Sequence, residues 1–468
     1  MIRFGTSGWR GIIGEEFTFH NLRLLCQAIA NILRADGNSE KGVVIGYDTR
    51  FLSERFAQEA AKIFTFNRVK TYLTRRDVPT PALSYEVRRR ETALGLNITA
   101  SHNPPEYNGV KLFTGNGATA LPEFTDRVEE EVVRVAKEGI RSEYYLSEYY
   151  LEEIDPREEY LSLLSERVDL ELIRKSGLKI ALDLLYGTAR EYLDELLLEA
   201  GCPLEVLHNF RDPYFGGYSP ESKKENLLEL RKVLRERDCQ LGLATDADSD
   251  RFGVLDEGGD YIAPNYILAL LFRYLLKSRK MRGGVARSVA TTHLIDAIAE
   301  RSGIEVYETP VGFKYIGELI LEDKIILGGE ESAGLSIKGH IPEKDGILAC
   351  LLVAEMASYY KKKLLHLLED IYREVGRRFF QRKVQISSAS HLEKKVKERM
   401  SSPPSEFARR KVVKMSDVDG LKLIFEDGSW FLIRFSGTEP VIRLYAEGET
   451  PDKVDELIDF GRRYFLEA

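Results

Sequence analysis

Three times along the chain a short apolar run empties into a loop dense with glycine and polar side chains, and stretches of helical periodicity flank each run. The runs are Ala93-Leu94-Gly95-Leu96-Asn97-Ile98 before Thr99-Ala100-Ser101-His102-Asn103-Pro104, Leu241-Gly242-Leu243-Ala244 before Thr245-Asp246-Ala247-Asp248-Ser249-Asp250-Arg251, and Ile325-Ile326-Leu327 before Gly328-Gly329-Glu330-Glu331-Ser332. Strands that alternate with helices bury both sheet faces, so this pattern confines the chain to α/β layers. At 468 residues there is too much chain for one core, and roughly three or four domains are expected. The expected units are 1–140, 155–256 and 257–368, three similar α/β mixed-sheet domains in series, and a smaller α+β unit over 369–468. In the last unit Asp427-Gly428 reads as a hairpin turn. The charged, tyrosine-rich segment 141–159 reads as a connector.

Composition narrows the class. With 43% hydrophobic and 30% charged residues the chain is that of a soluble globular protein. Its longest apolar stretches, 266–272 and 346–354, fall well short of the ~20 residues of a membrane span, so no membrane is expected as a partner. Met1-Ile2-Arg3-Phe4-Gly5 lacks a signal pattern, and Cys26, Cys202, Cys239 and Cys350 are scattered without a close pair. A cytoplasmic location with reduced thiols is the expectation. A net charge of −8 argues against general nucleic-acid affinity. The basic run 361–414 is interleaved with Glu369, Glu374, Glu393, Glu398 and Glu406 and lacks stacking aromatics, so it reads as solvated surface and no nucleic-acid partner is expected. Nothing in the sequence assigns an oligomeric state.

The chemistry gathers in the loops. Prolines, asparagines and a glycine around Ser101 and His102 make a stiff turn that holds a hydroxyl out at a strand mouth, and Lys111 lies where the chain extends again. Asp246, Asp248 and Asp250 alternate, so in an extended strip three carboxylates share a face and invite a hard divalent cation, Mg²⁺ above others. A helix-loop-helix calcium site is excluded because its sixth position is Arg251 rather than glycine and the flank is a strand. Glu330 and Ser332 offer acceptors suited to sugar hydroxyls, and Lys314, after Pro310 and Gly312, is a candidate cation for substrate. Arg434-Phe435-Ser436-Gly437-Thr438-Glu439-Pro440 places a guanidinium, two hydroxyls and consecutive amides around a glycine, the means by which phosphate is gripped, with Arg443 following.

Together, the Thr99–Pro104 stretch with Lys111, the Asp246–Gly253 loop, Gly329-Glu330-Glu331-Ser332 and the Arg434–Pro440 turn resemble the α-D-phosphohexomutase family, the phosphoglucomutase and phosphomannomutase group, closest in motif to phosphoglucomutase. The resemblance covers essentially the whole chain and implies four domains around a central cleft. It implies that Ser101 is phosphorylated, that Asp246, Asp248 and Asp250 hold Mg²⁺ with a phosphate oxygen of that serine, and that Arg251 lies beside it. Lys111 and His102 would assist proton transfer. Arg434, Ser436, Gly437, Thr438 and Arg443 would hold the phosphate that is not reacting, Glu330 and Ser332 the sugar hydroxyls. Lys314 and Arg287 would contact substrate, with Arg10 near the cleft. The implied activity interconverts hexose 1-phosphate and hexose 6-phosphate, with glucose 1,6-bisphosphate as activator. Glu330-Glu331 looks more like glucose-phosphate enzymes than the glucosamine-phosphate branch, and Ala333 departs from the shorter form of many dual-specificity members. Two rivals stand beside this reading: a dehalogenase-type phosphatase with Asp246 as nucleophile, and a non-catalytic sugar-phosphate binder.

Overall fold

The computed structural model describes residues 2–140, 144–388, 390–436 and 441–467. Four sheets are laid out in series. The first has six strands in the order Trp9–Ile12, Tyr107–Thr114, Leu94–Ile98, Val43–Tyr47, Thr71–Thr74, Leu151–Ile154. The second runs Phe252–Asp256, Leu241–Thr245, Ile180–Asp183, Leu204–Leu207, and the third Val306–Thr309, Gly284–Ser288, Ile325–Glu330, Gly334–Ile337. The fourth is antiparallel throughout: Phe380–Ser387, Val441–Gly448, Trp430–Phe435, Leu421–Phe425, Arg410–Ser416, Glu406–Phe407.

One construction recurs. In each of the first three sheets a strand parallel to its inner neighbour is followed by a loop and then by an antiparallel return strand. The loops are the serine loop after Leu94–Ile98, the acidic loop after Leu241–Thr245 and the glutamate turn after Ile325–Glu330. In the fourth sheet Trp430–Phe435 and Val441–Gly448, consecutive in the chain, are antiparallel neighbours. The serine, acidic and glutamate loops thus stand at strand ends, where two backbone ladders fix both their entry and exit.

The apolar stretch at 346–354 is part of the helix Gly346–Tyr360, buried nearly all round. A helix without a polar face must lie inside, and this one carries a core that runs unbroken from the second unit into the third. The first and last units have cores of their own. The helix is capped by the Asp345 side chain, which accepts from Leu348 N at 2.8 Å. Its first residue has to be glycine, since a Cβ on Gly346 would lie 2.3 Å from the Arg251 carbonyl oxygen. Its N-terminus therefore presses on the acidic loop, with Gly346 N donating to Ser249 O at 3.0 Å.

Of segment 141–159, residues 141–143 lie outside the described residues, and the remainder is more than a connector. Leu151–Ile154 pairs parallel with Thr71–Thr74 and completes the first sheet as its edge strand. The basic run is also structured, as helices Leu364–Val375 and Ser390–Met400 with strands between and after them. Several of its cations are paired, Arg378 with Glu369 at 2.6 Å and Arg410 with Glu456 at 2.7 Å.

Candidate active site

The serine loop is held from beneath by one buried guanidinium. Arg50, wholly buried, donates to the carbonyls of Ser101 (2.5 Å), Asn103 (2.6 Å), Pro104 (2.7 Å) and Tyr107 (3.1 Å), and its own charge is met by Asp48 at 3.2 Å. Asp48 also accepts from Thr99 Oγ1 at 2.6 Å, and that hydroxyl accepts from Ser101 N at 2.8 Å. So constrained, Ser101 sits in the left-handed region at φ 51°. Its Oγ donates to Asp246 Oδ2 at 3.0 Å, from the first unit to the second. Arg10 Nη1 reaches Asn103 Oδ1 at 2.5 Å, which places Arg10 on the same loop. His102 Nδ1 is 3.5 Å from Ser101 Oγ, and the His102 carbonyl accepts from the Ser219 hydroxyl. Burial, then the neighbouring Arg251 and Arg10 charges, push the imidazole well below its usual range, so it is neutral at pH 7.

The three aspartates converge by a different device from the one the spacing suggested. Residues 246–251 form a tight turn, with Ser249 at φ 61° and Ser249 N bonded to Asp246 O at 3.1 Å, so convergence comes from a folded loop and not from an extended strip. Thr188 supports it from outside through Ser249 Oγ at 2.9 Å. The result is a buried triad whose ligand oxygens lie within 4.8 Å of one another. Lys111 Nζ lies 2.5 Å from both Asp248 Oδ2 and Asp250 Oδ2, and Thr80 Oγ1 donates to Asp248 Oδ2 at 2.5 Å. Burial and repulsion from Asp250 and Asp248 raise the Asp246 carboxyl well above the usual range. Burial acts the same way on Asp250, but Lys111, Lys344 and Arg251 outweigh it and hold that carboxyl low. Asp248 Oδ1 and Asp250 Oδ1 are buried with no hydrogen-bond partner among the described residues. An all-oxygen donor set with two orphaned carboxylate oxygens, one Ser101 hydroxyl beside it, fits a hard divalent cation. Arg251 N donates to Asp246 Oδ1 at 3.1 Å, and its guanidinium lies 3.8 Å from Asp250 Oδ1.

Across from this, Glu330 Oε1 accepts the Gly312 amide at 2.7 Å, and burial followed by Glu331 pushes the Glu330 carboxyl up to about 7. Glu331 accepts from Ser288 Oγ at 3.1 Å and Tyr445 Oη at 3.3 Å, and Ser332 is half-buried in the turn beyond. Lys314 lines a cavity of about 430 Å³ with Thr6, Asp419 and Arg434. In the fourth unit Arg434 and Arg443 stand directly opposite each other on adjacent strands, and Ser436 N donates to Val441 O at 2.9 Å. Gly437 and Thr438 lie outside the described residues. Arg287 stands opposite Gly329, on the strand beside the one that enters the glutamate turn, with its guanidinium buried between Asp296 (2.5 Å) and Glu308 (2.7 Å).

Several residues of this cluster had no signature in the sequence. Lys344 lies 2.8 Å from Glu343 and 3.3 Å from Asp250, as a second cation on the acidic loop. Arg50, Asp48 and Thr80 likewise act at positions where a lone side chain in the sequence has no partner spacing to read. The one available cue was Glu343-Lys344-Asp345-Gly346, charged residues directly before an apolar helix whose N-terminus must face something polar.

Four family models match in order: phosphoglucomutase/phosphomannomutase alpha/beta/alpha domain I over residues 1–138, domain II over 158–259, domain III over 263–375, and the C-terminal domain over 393–462. The chain is similar to a phosphoglucomutase/phosphomannomutase of Thermococcus kodakarensis, 30% identical over 476 residues, covering 99% of this chain and 98% of that one. It is also 31% identical over 465 residues to a provisionally named phosphoglucosamine mutase of Methanothermobacter thermautotrophicus, covering 98% and 97% of the two chains. Among solved structures it resembles that of a provisionally named phosphomannomutase from Thermus thermophilus, with TM-score 0.85, 32% identity and coverage of 99% and 98%. Matches that take in every unit, in order, over nearly the full length set aside both the phosphatase and the simple binder, and the chain belongs to the phosphoglucomutase/phosphomannomutase family of intramolecular phosphotransferases.

Proposed function

We propose that this chain is a Mg²⁺-dependent mutase that interconverts hexose 1-phosphate and hexose 6-phosphate through phospho-Ser101 and a bisphosphate intermediate, preferring glucose and accepting mannose. The observation that carries the reading is Ser101 Oγ, presented by one unit, 3.0 Å from Asp246 of the next, beside a triad already bridged by Lys111. Phosphoryl transfer asks for positioning and charge neutralisation more than for covalent ingenuity. In the first half-reaction a sugar hydroxyl oxygen forms a bond to the phosphoserine phosphorus as the bond to Ser101 Oγ breaks. The hydroxyl proton passes to the neutral His102 imidazole or through Lys111, both within this cluster. The sugar bisphosphate turns over in the cleft. Ser101 Oγ then takes the other phosphoryl group, and the proton returns to the sugar oxygen.

Mg²⁺ held by Asp246, Asp248 and Asp250 supplies charge neutralisation for phosphoryl oxygens. The chain's own cations do the rest: Arg251 and Arg10 flank the serine loop, while Arg434, Arg443 and the 436–438 turn take the phosphate that is not reacting. Glu330 and Ser332 receive sugar hydroxyls and Lys314 the substrate's charge. Glucose 1,6-bisphosphate is the activator that charges Ser101. Four buried, unpaired cysteines support a reducing, cytoplasmic setting.

Sugar choice rests on the Glu330-Glu331 pair, and the relatives bear both glucose/mannose and glucosamine names. A coupled assay on glucose 1-phosphate, mannose 1-phosphate and glucosamine 1-phosphate, with Mg²⁺ and catalytic glucose 1,6-bisphosphate, tests the proposal. Glucose 1-phosphate should turn over fastest. Equal rates on all three overturn the preference, and phosphate released to water without isomerisation overturns the mutase.

A further inference from the structure

The phosphate clamp is steered from outside its own turn. Arg434 is nearly buried, with a side chain 5% exposed. Its Nε and Nη2 both donate to a single oxygen, Asp419 Oδ2, at 3.0 and 2.9 Å. The same oxygen accepts the Val311 amide at 3.1 Å. Asp419 lies in the turn between Arg410–Ser416 and Leu421–Phe425, so one carboxylate oxygen joins that turn, the strand of the clamp and a loop of the third unit. The remaining guanidinium nitrogen, Arg434 Nη1, is buried and has no hydrogen-bond partner among the described residues.

The turn is not free to relax. Gly420 has φ 93°, and a Cβ there would lie 2.3 Å from Ile433 O and 2.7 Å from Arg434 Cβ. On the other side, the residue after Val311 is Gly312, whose amide is the one bound by Glu330. Two consecutive amides, Val311 and Gly312, are therefore split between the carboxylate behind the clamp and the carboxylate of the glutamate turn. Val311, Asp419 and Arg434 lie on the wall of the cavity that Lys314 and Thr6 also line.

We propose that Asp419 is a positioning residue: it fixes the Arg434 guanidinium so that Nη1 is presented to the substrate's unreacting phosphate, and it ties that clamp to the sugar-binding loop through Val311. The inference rests on the reading of Arg434 as a phosphate ligand. An arginine side chain free to rotate has to be frozen when phosphate binds. Two nitrogens already locked on Asp419 leave that cost settled in the fold. Because the phosphate concerned is not the reacting one, the effect belongs to binding and falls on KM more than on kcat.

The test is a double-mutant cycle of Asp419→Asn and Arg434→Ala, read as KM and kcat on a hexose 1-phosphate, with thermal unfolding followed in parallel. Asparagine keeps the shape of a side chain that is a quarter exposed and removes its charge. The expected result is a KM raised about 10- to 100-fold in Asp419→Asn, the loss typical of a charge-assisted pair, with kcat within about threefold. In the Arg434→Ala background the same substitution should change KM by less than about twofold, since its route of action is gone. A structural role would multiply through both backgrounds, and that outcome overturns the proposal. So does an unchanged KM in Asp419→Asn while Arg434→Ala raises it, which leaves the clamp reading intact. If neither variant alters KM, the clamp reading falls and this inference falls with it. Should Asp419→Asn not fold, Asp419→Ser enters the same cycle with the same criteria.

Discussion

Lys111 Nζ lies 2.5 Å from Asp248 Oδ2, although 137 residues separate them and each belongs to a different sheet. The lysine comes from the return strand behind the serine loop, Tyr107–Thr114, and the aspartate from the acidic turn of the second unit. Both are essentially unexposed. Neither unit alone satisfies its buried charge, so the active cluster is assembled by the contact between them.

Replacing Lys111 should expose that dependence. In Lys111→Met two buried carboxylates lose their shared cation, which costs about 3–5 kcal/mol when one partner of a buried pair is removed. The thermal midpoint in chelator should drop by several degrees relative to the parent, and added Mg²⁺ should restore more of it in the variant than in the parent. An identical Mg²⁺ response in both proteins rejects the assignment of these carboxylates to a cation site.

Ser101→Ala should reduce mutase turnover to background while hexose-phosphate binding, read by calorimetry, stays within about threefold of the parent. Asp248→Ala should come close to the same loss of turnover. Residual activity above about one per cent in Ser101→Ala would mean that phosphate does not pass through this serine.

Arg50 predicts a mechanical effect. Arg50→Lys keeps the charge but cannot reach four carbonyls with one planar fork. A loss of about 2–4 kcal/mol in urea stability is expected, from unsatisfied buried carbonyls and an imperfectly paired charge. Turnover should fall more steeply than substrate affinity, because the loop that presents Ser101 is no longer stiff. Unchanged urea midpoints would refute the role.

Glu330 gives a pH signature. Burial and Glu331 raise its folded-state value to about 7, above the usual 4.5. The folded protein therefore holds this proton more tightly than the unfolded chain. The associated stability is fully present below about pH 4.5 and is lost as pH rises through about 7, by about 3 kcal/mol over the window. Urea midpoints at pH 5 and pH 8 should differ less in Glu330→Gln than in the parent; equal differences would contradict it.

Most of the architecture was legible because its signals are local. Apolar runs placed the strands that lead into the loops, Leu94–Ile98, Leu241–Thr245 and Ile325–Glu330, and polar loops at strand ends marked Ser101, Asp246, Glu330 and Arg434 before any contact was known. Leu151–Ile154 escaped for a physical reason: an edge strand whose middle residues, Glu152 and Glu153, face solvent has no apolar alternation to detect. Convergence of the aspartates was anticipated, but its cause was not. A left-handed Ser249 folds the loop, and nothing in an Asp-x-Asp-x-Asp spacing distinguishes a turn from a strip. For Arg287 the linear sequence carries no information about Asp296 and Glu308, the acids that pair with its guanidinium. Arg50, Thr80, Lys344 and Asp419 are all defined by long-range contacts, which a linear reading does not contain.

The φ of 51° at Ser101 has a consequence for which amino acids the position can hold. Threonine has the same hydroxyl and, by chemistry alone, the same capacity to take a phosphoryl group. Its branched Cβ, however, is poorly tolerated in the left-handed region and would strain the loop by about 1–3 kcal/mol. Glycine, which has no hydroxyl, fits the backbone best. On the proposed mechanism, serine is the compromise between a backbone that asks for no side chain and a reaction that asks for an oxygen, and the geometry of the turn, not the chemistry of the phosphate, favours it over threonine.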